Sequence, residues 1–78
     1  MTEGSIPYMS AARVTVLGVQ PGDPPFRIVE VDGEMVSTAT SMTDVILTAA
    51  SEGITIHDLD DPGEVRWVGG GRFHWGTH

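Results

Sequence analysis

Apolar residues recur at every second position along most of this chain, and at helical spacing in one stretch only. In residues 12–19 (ARVTVLGV), Val14 and Val16 alternate with Arg13, Thr15 and Leu17, which predicts a strand with a possible bend at Gly18. Residues 20–25 (QPGDPP) hold three prolines and a glycine, which allow neither helix nor ladder. Residues 26–39 (FRIVEVDGEMVSTA) alternate again on either side of Asp32-Gly33. That pair tolerates positive φ at both central positions of a type I′ turn, so a hairpin is predicted. Centring the turn there opposes Val29 to Val36, Glu30 to Met35 and Phe26 to Ala39. Val29, Val31 and Val36 then share one face, and Phe26, Ile28 and Met35 the other. A hairpin apolar on both faces is either covered twice or offers one face to a partner.

The period changes at residues 41–52 (SMTDVILTAASE). Met42, Val45, Ile46, Ala49 and Ala50 form an amphipathic stripe, which predicts a helix. Ser41 is placed to cap its N-terminus, with Asp44 three residues on. Gly53 suits the left-handed position after its end, with Ile54 next to pack back. Residues 54–57 (ITIH) read as a short strand, and residues 58–63 (DLDDPG) as an acidic turn.

Residues 65–75 (VRWVGGGRFHW) gather both tryptophans around three glycines. A second hairpin with Gly69-Gly70-Gly71 as its loop opposes Trp67 to Phe73 and Val65 to Trp75. The aromatics then share a core face, with Arg66, Val68, Arg72 and His74 on the other. The expected fold is α+β: a mainly antiparallel sheet of five to six short strands, one helix packed across it, in the order β-β-β-α-β-β-β. Residues 1–10 show no period and are expected to form a mobile tail, with residues 11–78 as a single small domain.

Composition narrows the functions. Eleven acidic residues face four arginines, with no lysine, for a net charge of −7. Such a field repels nucleic acid and anionic membranes and suits a basic protein partner. With no cysteine, disulfides and thiolate metal sites are excluded. No apolar run approaches the roughly 20 residues of a membrane span. The first ten residues lack a signal-peptide pattern, so the expected setting is the cytoplasm.

The glycine triplet invites comparison with a phosphate-binding loop. It leads into Arg72-Phe73-His74-Trp75, an alternating pattern with neither a helix nor a lysine to complete such a site. His57, Asp58, His74 and His78 are the residue types that hold zinc. On one strand, however, His74 and His78 would stand about 13 Å apart. The acidic turn begins like a calcium loop, but has Pro62 at its fifth position and Gly69 at its twelfth. No cofactor is expected.

The favoured function is a small, acidic, non-catalytic interaction module, a regulatory or accessory subunit. Its partner would be a basic protein or a second copy, with a homodimer expected. Phe26, Ile28, Met35, Trp67 and Trp75 are the candidate partner-binding residues. Two alternatives remain: a small metal-dependent hydrolase using His57, Asp58 and His74, and a single-strand nucleic-acid binder using Trp67 and Trp75.

Overall fold

A computed structural model of the chain describes residues 12–76. The expected N-terminal tail and His78 lie outside these residues. The elements run β1 (Val14–Gln20), β2 (Phe26–Val31), β3 (Glu34–Ala39), α1 (Met42–Ser51) and β4 (Val65–Trp67). They make one four-stranded sheet in the order β3-β2-β1-β4. β1 pairs antiparallel with β2, and β2 with β3, whereas β4 lies parallel to β1.

The sheet is therefore mixed and four-stranded, and this corrects the expected five to six antiparallel strands. Two of the expected elements are absent. Residues 54–57 do not pair as a strand. Residues 65–75 do not form a hairpin: only Val65–Trp67 is a strand, and the chain after it leaves the sheet. The reason lies in the route of the chain. From β3 at one edge, α1 packs over β3 and β2, and residues 52–64 carry the chain on to the opposite edge. Helix and connection together return it so that β4 runs the same way as β1, and a parallel neighbour needs such a crossover, not a tight turn.

The first hairpin forms with one correction. Asp32 and Gly33 take φ of 54° and 85°, as the type I′ turn requires. Glu30 opposes Met35 as expected, but Val29 opposes Ser37 and Arg27 opposes Ala39. Between these pairs β3 advances two residues while β2 advances one, so Val36 is the extra residue of a β-bulge. The bulge takes Val36 off the face of Val29 and Val31 and leaves it exposed.

The helix follows its local signals. The Ser41 hydroxyl accepts from the Asp44 N–H. At the other end Gly53 (φ 80°) donates to Ala50 O and Ile54 to Ala49 O, which completes a Schellman motif. Its buried stripe is narrower than expected, since Val45 and Ala49 are buried while Ile46 and Ala50 are exposed.

Val14, Val16, Val29, Val31, Ala39, Val45, Ala49 and Val65 form the core. These are small side chains, each buried valine contributing about 1.5–3 kcal/mol at most. Ile54, Ile56, Leu59, Trp67 and Trp75 pack around them. The largest fully buried side chain is Arg27.

Candidate functional site

Along β2 the alternation FRIVEV buries Arg27, Val29 and Val31 on one face. A buried guanidinium is costly unless its donors are met. Here all five N–H groups reach backbone carbonyls. Nε donates to Leu17 O at 2.6 Å. Nη1 donates to Gly71 O at 2.8 Å and His74 O at 2.9 Å. Nη2 donates to Gly70 O at 2.8 Å and Val68 O at 3.1 Å. These acceptors are all neutral, and burial pulls the guanidinium pKa below its ordinary value. An arginine nevertheless stays charged.

Local structure supplies each acceptor. β1 is irregular between Val16, opposite Val29, and Val19, opposite Arg27, so Leu17 falls in the break beside the arginine. The other four carbonyls come from the chain after β4. Gly69 and Gly70 hold φ of 78° and 139°, which turn successive carbonyls inward. A Cβ on Gly69 would stand 3.1 Å from the Gly18 Cα, and one on Gly70 would stand 2.7 Å from the His74 ring. The triple glycine is thus a carbonyl cradle for an internal cation, neither a phosphate loop nor the loop of a hairpin.

Trp67 and Trp75 close the cage. Arg27 lies 5.2 Å from the ring centre of Trp67 and 5.4 Å from that of Trp75. The two rings meet edge to face, 6.1 Å apart at 88°. Their N–H groups point into the protein, Trp67 donating to Leu59 O at 2.8 Å and Trp75 to Arg72 O at 2.5 Å. Phe73 is not part of this cluster: it is 74% exposed, with Arg72 stacked on it. Arg72 also pairs with Asp60 at 2.8 Å.

His57, Asp58 and His74 are separately engaged or exposed. The His57 N–H donates to Glu64 Oε1, and Asp58 Oδ1 accepts from the Asp60 N–H. His74 contributes its backbone to the cage. Among the described residues no group of three histidine or acidic side chains is placed to hold a metal. Ser41, the serine nearest a helix start, serves as the cap.

The other face of the sheet is different. Among the described residues α1 is the sole helix, and it packs on the face that carries the core. By alternation Phe26, Ile28 and Glu30 on β2 point to the opposite face, with Thr15 on β1 and Arg66 on β4. Met35, 61% exposed, opposes Glu30 on that face. A shallow groove of about 520 Å³ lies there, lined by Thr15, Leu17, Glu30, Arg66 and Val68 and by Arg13 and Asp32 at one end. Arg13 and Asp32 form a two-pronged ion pair, both contacts at 2.9 Å, whose hydrogen bonds hold the Asp32 carboxyl below its ordinary range.

The five candidate partner-binding residues therefore separate. Phe26, Ile28 and Met35 lie on the open face, while Trp67 and Trp75 belong to the Arg27 cage. The residue that organises the cage, Arg27, was missed by sequence reasoning. Its signal was its phase, since it alternates with Val29 and Val31. No family model, no curated protein and no solved structure matches this chain. Among the described residues no helix is long and apolar enough to cross a membrane.

Proposed function

We propose that this protein is a small, acidic, non-catalytic interaction module that docks through the open face of its sheet. The partner is a second copy of the chain, and a cytoplasmic setting is part of the same proposal. One observation carries the reading. The helix and the chain after it cover one sheet face, while the other carries a groove with Leu17 and Val68 in its lining and Met35 exposed on that same face. Exposed apolar residues rimmed by polar ones mark interfaces, and symmetric pairing of like chains is the commonest way to cover them.

Charge supports the same face. The chain as a whole repels itself, with eleven acids against four arginines. The groove is balanced, with Arg13 and Arg66 against Glu30 and Asp32. Self-association costs least where charges cancel locally.

The hydrolase reading draws no support from the positions of His57, Asp58 and His74, which do not form a ligand group. A single-strand binder needs free aromatic faces, and Trp67 and Trp75 are turned to Arg27 and to each other.

Light scattering coupled to size exclusion tests the proposal. Run at about 100 µM, it registers association stronger than about −5.5 kcal/mol. A dimer mass is the expected result, and a monomer at that concentration refutes the reading.

A further inference from the structure

The open face carries an order of residues that suits one particular docking. Glu30, Thr15 and Arg66 lie in a row across three strands, since Thr15 opposes both Glu30 on β2 and Arg66 on β4. The acid and the arginine flank Thr15 symmetrically, each about 4.8 Å away by the strand spacing. One alternation further along, Val68 after β4 lies beside Leu17 in the groove, where the β1–β2 register breaks. Val68 continues the pairing, its N–H donating to Val16 O at 2.8 Å. The Glu30–Thr15–Arg66 row is centred on β1.

A two-fold axis parallel to β1 and passing over Thr15 exchanges β2 and β4 between two facing sheets. Glu30 of each copy then meets Arg66 of the other. Leu17, on the axial strand, meets Leu17. We infer that two copies pack these faces together about this axis, with paired Glu30–Arg66 contacts fixing the orientation. Sheets packed face to face stand about 10 Å apart with strands nearly aligned, a separation that glutamate and arginine side chains span together. Centred on β2 instead, the operation sets Glu30 against Glu30 and Thr15 over Met35, so neither charge meets its opposite. This inference rests on the reading of the protein as a self-associating module and adds the geometry and the residues that determine it.

Charge reversal separates the two claims. Glu30→Arg places two arginines against each other at each contact, and Arg66→Glu places two glutamates. Each single variant is expected to dimerise at least roughly tenfold more weakly than the unaltered chain, because like charges across an interface are strongly disfavoured. A mixture of the two variants restores opposite charges at both contacts and is expected to form a one-to-one heterodimer. The double variant is expected to recover the homodimer. Since a heterodimer requires both chains folded, its recovery also shows that neither substitution acted by unfolding. Circular dichroism of each single variant checks this independently. If the unaltered chain dimerises and the folded single variants dimerise equally well, the docking geometry is overturned while self-association stands. If the folded variants weaken but the mixture does not recover, the Glu30–Arg66 pairing is overturned. An unaltered chain that stays monomeric overturns both.

Discussion

Arg27 Nη2 donates to the carbonyl of Gly70 at 2.8 Å, joining the second strand to a glycine 43 residues further along the chain. Gly70 sits there with φ of 139°, a conformation that a side chain would resist. The two residues account for each other. The arginine needs acceptors because it is buried, and the glycine is needed because only an unsubstituted backbone turns its carbonyl there.

Replacing Arg27 with methionine keeps much of the volume but leaves five inward carbonyls without a donor. The expected loss is about 3–5 kcal/mol, as for stripping one partner from a buried charged network. Arg27→Lys should lose nearly as much, since an ammonium has three donors and no planar fork. Urea denaturation gives the stability. Tryptophan emission should shift to the red as Trp67 and Trp75 lose their cover. A variant within about 1 kcal/mol of the parent would show that the cage is incidental.

The glycines of the triplet should respond unequally. Gly70→Ala combines a positive φ with a Cβ 2.7 Å from the His74 ring, and a loss of about 1–3 kcal/mol is expected. At Gly71 nothing lies within 4 Å of the added carbon. Gly71→Ala should therefore fall within about 0.5 kcal/mol of the parent. Thermal melts of the two variants, run side by side, make the comparison. Equal losses would contradict the cradle.

The aromatics divide in the same way. Phe73→Ala should change stability by less than about 0.5 kcal/mol because the ring is exposed. Trp75→Ala removes an indole packed on Arg27 and Trp67 and should cost about 2–4 kcal/mol. The hairpin expected from the sequence gives the opposite ranking for Phe73, which would oppose Trp67 in a core. Denaturant midpoints decide between the two.

Asp44 links the helix start to pH. The Thr40 backbone N–H at 2.9 Å and then the Thr40 hydroxyl at 3.0 Å hold its carboxyl below the ordinary 3.8. A carboxyl with a depressed folded-state pKa binds protons less readily when folded than when unfolded. Its stabilising contribution is therefore full above the unfolded value and is lost as pH falls through the folded one. Stability should decline below about pH 4, and Asp44→Asn should flatten that part of the curve. Melting temperatures between pH 2 and pH 6 test this, and an unchanged slope in the variant would count against the assignment.

Much of the local structure was legible because its causes lie within a few residues. Ser41 and Gly53 bound the helix through hydrogen bonds to neighbours, and Asp32-Gly33 takes the turn its φ preferences demand. The strand at Val14 and Val16 follows directly from their alternation. The bulge at Val36 was not legible. It depends on Ala39 reaching a position opposite Arg27, and no feature of Val36 itself encodes that. Of the surface candidates, Phe26, Ile28 and Met35 were found on the open face because strand alternation alone assigns them there. The packing of Trp67 and Trp75 on Arg27 was not legible, because that neighbour in space is distant in sequence.

The sequence by itself determined the helix and its caps, the first hairpin turn, the break between β1 and β2 at residues 21–25, and the exclusion of thiolate chemistry. Each of these is set by the conformational preferences or identity of adjacent residues. Only the tertiary structure decided that β4 runs parallel to β1 and that the glycine triplet is a cradle. Parallel pairing depends on where α1 and the connection after it deliver the chain. The cradle exists because a guanidinium, placed in the core by the phase of β2, has to draw its acceptors from backbone that a loop would otherwise leave to water.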